Sequence, residues 1–178
     1  MDFEAIYVEY VSMVYNLALQ YVQNTEDAEE ITQDVFVKVF QNSQKFQEKS
    51  SLRTWIYRIA INQSLDFIRA KQSLKRRFWL NVFSLNHENY KFEPVEFIHP
   101  GIELEQKEAC KHIFDAINQL PNKQKTAVIL LKIMGKDRGE VAEIMNLNVK
   151  AMESVFQRAK KNLEVLLNKN KSHEKFVQ

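Results

Sequence analysis

Lys150, Ser154, Gln157, Arg158 and Lys161 stand at helical spacing near the end of a 178-residue sequence. Carried on one helix, they put cations and short polar groups on a shared face. The cations can meet phosphates, and the hydroxyl and amide can reach base edges, so the chemistry on offer is non-covalent reading of a major groove. Ahead of them, Asp137 to Met145 reads as a short helix in which Asp137 and Glu140 have the spacing of a capping arrangement. Asn146 to Val149 leaves a four-residue turn. A short helix, a turn and a longer basic helix form a helix-turn-helix pattern, with Ala142, Ile144, Leu147 and Met152 or Val155 as the apolar contacts at the crossing. Helix pairs also occur for packing alone, so this pattern by itself does not single out a DNA reader.

Nothing suited to covalent chemistry accompanies it. His87, His99, His112 and His173 lack metal-ligand spacing, Ser and Asp form no recognisable nucleophile site, and there is no glycine-rich phosphate loop. A protein without enzymatic activity, cofactor or metal is expected. Cys110 is the only cysteine, which excludes an intramolecular disulfide or a cysteine zinc cluster and fits a reducing cytoplasm. Asp2 and Glu4 stand where a secretory signal would carry Lys or Arg, and no run of about 18 apolar residues occurs. The expectation is a soluble, cytoplasmic chain that does not insert into a membrane.

A net charge of +2 conceals segregation. Residues 1–50 carry three basic and nine acidic groups, whereas residues 51–80 carry seven and one. Residues 81–120 carry three and seven, and residues 121–178 twelve and six. Each basic block therefore follows an acidic one. Basic blocks can meet phosphate, and acidic blocks a basic protein or each other, although solvated helix faces would look similar.

The elements that must position these groups are helical. Apolar content is 45%, with only three Gly and three Pro, which favours an all-α fold. Phe3, Ile6, Tyr7, Tyr10, Val14, Leu17 and Tyr21 follow one helical face. Asn24 can cap a second helix whose buried stripe is Ile31, Val35 and Val39, joined by Phe36 and Phe40. A third begins near Leu52, with Leu52, Trp55, Ile56, Ile59, Ala60 and Ile68 toward a core and Arg53, Arg58 and Arg69 elsewhere. The pattern dissolves after Lys71. Residues 72–102 read as a linker broken by Pro94, Pro100 and Gly101, with a short helix around 76–83 and Phe78, Trp79, Leu80, Val82 and Phe83 available to dock on a neighbour. Helical patterning resumes at Glu103, with Cys110, Ile113, Phe114, Ile117 and Leu120 on one side. A helix from Asn122 to Met134 follows, with Gly135 at its end, and a last one from about Lys150 to Leu167 turns Val155, Ala159, Leu163 and Leu166 inward. Two small helical domains result, a three-to-four-helix bundle over 1–72 and a helix-turn-helix domain over 105–170, joined by a linker (73–104) and followed by a tail (171–178).

The run from Asp27 to Phe36 (DAEEITQDVF), then Phe46, then Leu52 to Asn62 (LRTWIYRIAIN) closely resembles the second conserved region of bacterial extracytoplasmic-function sigma factors, of the sigma-70 family. Leu120-Pro121, Glu140 to Met145 (EVAEIM) and Arg158 to Leu163 (RAKKNL) resemble their fourth region. Order and separation match over nearly the whole chain except the linker and the last ten or so residues.

The resemblance implies a function: a subunit that directs core RNA polymerase to promoters and initiates transcription. Asp27, Glu30, Gln33 and Asp34 would dock on the clamp of the largest polymerase subunit; complementing the helix dipole would explain Asp27 and Glu30 but not Asp34. Phe46 to Ser51, including Ser50, would form a pocket loop for an unstacked base of the minus-ten element. Asn62 would lie beside it, with Arg53, Arg58 and Arg69 near the backbone, and Trp55 either in the core or under a base. The recognition helix, with Lys150, Ser154, Gln157, Arg158 and Lys161, would read the minus-thirty-five element as duplex. Lys150-Ala151-Met152-Glu153 departs from the Gly-Thr-Val-basic pattern of many members, and Glu153 would repel phosphate while being able to accept from a cytosine amino group. The implied partners are core RNA polymerase and promoter DNA, single-stranded and duplex. Many relatives are held inactive by a membrane-bound anti-sigma factor, which makes such a protein a candidate partner without establishing one.

Two other readings compete. A stand-alone helix-turn-helix regulator would use the C-terminal domain identically but leave the acidic helix and the Trp55 to Asn62 segment without a role. A helical adaptor that binds only protein would show no salt-sensitive affinity for DNA, against the two basic blocks.

Overall fold

A computed structural model of the chain describes residues 2–43, 46, 50–84 and 104–174. The remaining loop residues near Phe46, the linker from 85 to 103 with His87, Pro94, His99, Pro100 and Gly101, and the tail from 175 lie outside the described residues. So do the side chains of Phe78, Trp79, Leu80, Val82 and Phe83, and of His173. Among the described residues there are seven α-helices: α1 (Phe3–Val22), α2 (Thr25–Asn42), α3 (Leu52–Ser84), α4 (Leu104–Asn118), α5 (Asn122–Val128), α6 (Arg138–Ile144) and α7 (Val149–Glu174), with a π-helical turn, Ile129–Ile133, after α5. Among the described residues there is no strand, and the fold is all-α as expected. The chain forms two compact units, one drawing its described residues from Met1–Gln44 and Ile59–Ile98, the other from Lys45–Arg58 and His99–Gln178.

In the first unit α1 packs on α2. Asp2 caps α1 by accepting from the N–H groups of Glu4 and Ala5 at 3.1 and 3.4 Å. The helix closes at Gln23, which takes a left-handed φ of 51° and donates its N–H to the Leu19 carbonyl. Asn24 then accepts from the Asp27 N–H at 2.8 Å, starting α2 where the sequence placed it. Ile6, Val14, Leu17 and Tyr21 of α1 are buried, as are Ile31, Val35, Phe36 and Val39 of α2. Phe40, read as part of that stripe, is 62% exposed and leans edge-on against Phe3, with ring centroids 5.2 Å apart. Tyr7 is likewise exposed, its ring against Phe36. Both lie on the border of the stripe, where one helical step turns a side chain out of the core.

The third helix departs from expectation in length. It does not end near Lys71 but continues to Ser84, absorbing the short helix read around 76–83. The loss of apolar periodicity ended the buried face, not the helix: no Gly or Pro occurs between Leu52 and Ser84 to stop it.

In the second unit α4, α5, α6 and α7 enclose Phe114, Ile117, Leu120, Leu130, Val141, Met152, Val155 and Ala159. Ile113, assigned to the inner face of α4, is exposed. The helix read as Asn122 to Met134 finishes as a π turn, in which the Met134 N–H bonds the Ile129 carbonyl. Gly135 at φ 65° then lets the Lys136 N–H reach back to the Leu130 carbonyl, the termination that a left-handed glycine permits.

Lys125 is 4% exposed, and burial pushes its ammonium pKa below the usual lysine value. Its charged form costs stability wherever the folded state must carry it, which is below the depressed folded pKa; the cost vanishes once the unfolded lysine also loses its proton. Lys125→Met is therefore expected to raise stability at neutral pH. That gain should shrink as pH rises through the alkaline range. Urea unfolding of both proteins at neutral and alkaline pH checks this; a destabilised Met variant would contradict it.

Candidate nucleic-acid interface

Helix α2 presents the acidic residues on its outer side. Glu30 and Gln33 are exposed. Asp27 is less so, and its Oδ2 meets Lys71 Nζ at 2.5 Å. Asp34 Oδ2 accepts from Gln63 Nε2 at 2.7 Å, and Gln63 Oε1 in turn accepts from Lys38. The four candidates thus differ: Asp27 and Asp34 are tied to α3, Asp34 while remaining exposed, and Glu30 and Gln33 are exposed. Asp34, which the helix dipole explained poorly, has a local reason to be acidic.

Ser51 opens α3. Its Oγ accepts from the Thr54 N–H at 3.0 Å and donates to Thr54 Oγ1, and its carbonyl accepts from the Trp55 N–H. Phe46 and Trp55 lie together with ring centroids 5.2 Å apart, so Trp55 is partly covered by the aromatic residue of the preceding loop. Arg53 is exposed, as are Asn62 and Arg69 further along. Arg69 pairs with Asp66 at 3.0 Å on the surface, a contact worth little in water and open to exchange for phosphate. Arg58, expected to point away from packed groups, instead donates from Nε to the Ile144 carbonyl at 3.1 Å and from NH2 to that of Glu143 at 2.6 Å. Thr54 Oγ1 donates to Glu143 Oε1 at 3.0 Å.

The helix-turn-helix is built as read. Asp137 accepts from the Glu140 N–H at 2.9 Å, capping α6. Asn146, at φ 53°, turns the chain, and the Leu147 N–H bonds the Ala142 carbonyl. Asn148 caps α7 by accepting from the Ala151 N–H at 2.8 Å. Ala142, Ile144, Met152 and Val155 are buried at the crossing. With about 3.6 residues per turn, burying Met152, Val155 and Ala159 turns Lys150, Ser154, Gln157, Arg158 and Lys161 to the opposite side, and all five are exposed. Ser154 Oγ donates to the Lys150 carbonyl and Arg158 Nε to that of Ser154, which steadies both on the helix. Asn162 donates to Gln124 at 2.9 Å, tying α7 to α5.

Residues 6–74 match the family model for sigma-70 region 2, and residues 112–163 that for sigma-70 region 4. The chain is 28% identical over 166 residues to an ECF RNA polymerase sigma-E factor of Haemophilus influenzae, covering 91% of this chain and 85% of the relative. It is 26% identical to the RNA polymerase sigma factor SigV of Bacillus subtilis, over 87% of this chain and 84% of that one. The chain belongs to the sigma-70 family. It is a sigma factor of the extracytoplasmic-function type and directs promoter recognition by RNA polymerase. Sigma factors are not enzymes. Two solved structures share its fold: the sigma factor RpoE with the anti-sigma factor NepR from Bartonella quintana (20% identity, 94% of this chain and 97% of that one, TM-score 0.58), and CnrH with the cytosolic domain of CnrY (19%, 93% and 87%, TM-score 0.61).

In this sigma factor the structure adds groups that sequence reasoning passed over. Lys132 and Lys160 flank the Phe156 ring at 5.8 and 5.6 Å, which adds two cations beside the recognition face. Arg138, at the start of α6, bonds Glu153 of α7 at 2.9 Å. Lys160 could have been found by its spacing of four from Phe156 on α7, whereas Lys132 meets the ring from the π turn only through packing. The Arg138–Glu153 pair could not, because it depends on how two helices cross. Among the described residues no helix is long and apolar enough to cross a membrane.

Proposed function

We propose that this sigma factor joins core RNA polymerase through the outward acidic face of α2, holds a displaced minus-ten strand with Phe46, Ser50, Arg53, Trp55, Arg58, Asn62 and Arg69, and reads the minus-thirty-five duplex with α7. The proposed organisation keeps 1–72 and 105–170 as the two functional domains, acting in the cytoplasm. An anti-sigma factor accompanies the solved neighbour RpoE, which supports one as the regulatory partner here. The observation that carries the reading is the exposed face of Lys150, Ser154, Gln157, Arg158 and Lys161 on a capped helix-turn-helix.

The test is promoter binding by the holoenzyme across a salt series. Each phosphate contact contributes about 0.9 to the slope of log affinity against log salt. Arg158→Ala and Lys161→Ala should each flatten the slope by about one and weaken all sequences alike, whereas Gln157→Ala should change sequence preference. Unchanged slopes in both cation variants would overturn the proposed docking of α7.

A further inference from the structure

Glu153 lies toward one edge of the exposed face of α7, one residue before Ser154, and is the acidic group nearest the proposed DNA-reading residues. A bare carboxylate there would oppose the phosphates that Arg158 and Lys161 attract. It is not bare. Arg138 NH1 bonds Glu153 Oε1 at 2.9 Å, and the two side chains remain 69% and 41% exposed. The partner comes from the first turn of α6, a helix fixed by its own Asp137 cap, so the guanidinium approaches from a rigid base. The bond engages one carboxylate oxygen and one guanidinium nitrogen. Oε2 remains as an acceptor, and the other guanidinium nitrogens remain as donors.

Resting on the promoter-reading function above, we propose that Glu153, oriented by Arg138, is a specificity-determining residue that selects a cytosine in the minus-thirty-five duplex. In the major groove cytosine offers a donor, its N4 amino group, where the other bases of a pair at that edge offer acceptors or a different pattern. An ionised carboxylate has only acceptors to give, so it favours cytosine and disfavours guanine O6 and N7. Arg138 has two consequences. It cancels the charge that would repel the backbone, and it fixes which oxygen is left for the base. In water such an exposed pair contributes little, but duplex covering it removes solvent and strengthens the ionic contact. Arg138 is thus a positioning residue, and Glu153 the one that touches the base.

The experiment uses the holoenzyme and a promoter library randomised across the minus-thirty-five element, with base frequencies in the bound fraction as the readout. The original protein should select cytosine at one position by roughly tenfold or more, the discrimination expected of a good side-chain-to-base contact. Glu153→Ala should abolish that preference, and Glu153→Gln should move it toward adenine, which an amide reads through N6 and N7, leaving other positions unaltered. Arg138→Ala should weaken the cytosine preference and lower affinity for every sequence, because it leaves an unpaired carboxylate beside phosphate. Because both residues are exposed, the isosteric Gln variant is the one least able to perturb folding. Identical base frequencies for the original and Glu153 variants would overturn the proposal, and so would a uniform change at all positions, which would make the pair a merely structural clasp. Failure of the original holoenzyme to select any sequence would instead overturn the promoter-reading function on which the proposal rests.

Discussion

Glu30→Lys combined with Gln33→Lys is expected to weaken binding to core RNA polymerase by roughly 30- to 100-fold or more, since misplaced charge at a desolvated interface costs about 2–5 kcal/mol. The two positions are chosen from the structure. Both side chains are exposed; Asp27 is instead paired with Lys71, and Asp34, though also exposed, accepts from Gln63. Reversing Asp34 would break a link between α2 and α3 and confuse lost docking with lost packing. The same logic makes Asp34→Asn a useful comparison: its amide keeps an oxygen for Gln63, so polymerase affinity should fall far less. Helical content by circular dichroism should match the original in all variants. Undiminished affinity in the folded double variant would remove α2 from the polymerase interface.

The second large effect is expected at Asn62. Asn62→Ala in the holoenzyme should leave duplex binding nearly intact while reducing the rate or extent of strand opening by about tenfold or more, the scale on which one base contact in a single strand is lost. Asn62 is exposed on α3, one helical turn beyond Arg58 and two before Arg69, so its amide is free to meet a base on the face that also carries cations. Arg58 is expected to behave differently. Its guanidinium already holds the carbonyls of Glu143 and Ile144, so its removal should alter stability as well as DNA handling. Permanganate reactivity of unpaired thymines near the minus-ten element measures opening directly. Full reactivity with Asn62→Ala would dissociate Asn62 from strand capture.

Much of this architecture was legible because local rules decide it. Asn24 and Asp137 cap the helices they precede, Asn146 and Gly135 take the left-handed conformations that end helices, and the Ile31, Val35, Val39 stripe is buried. The exposed face of α7 followed from period alone. What escaped were outcomes that depend on neighbours. Phe40 and Ile113 fit an apolar stripe by spacing, but the facing helix does not cover them. The apolar pattern of α3 ends near Lys71, although nothing in Gln72 to Ser84 breaks a helix. A helical wheel puts Arg58 outward because it cannot foresee the backbone carbonyls brought up from Glu143 and Ile144. The Arg138–Glu153 pair spans two helices whose crossing no local pattern reports, and so Glu153 read only as a departure from the family's basic residue.

The most direct test of the central claim is to sequence the 5′ ends of transcripts made on genomic DNA by bacterial core RNA polymerase with and without this protein. The expected result is a discrete set of start sites that appears only when both are present, each preceded by a shared pair of elements about two helical turns apart. Start sites that are the same with and without the protein, together with tight duplex binding by the protein alone, would contradict the assignment and leave an operator-binding regulator in its place.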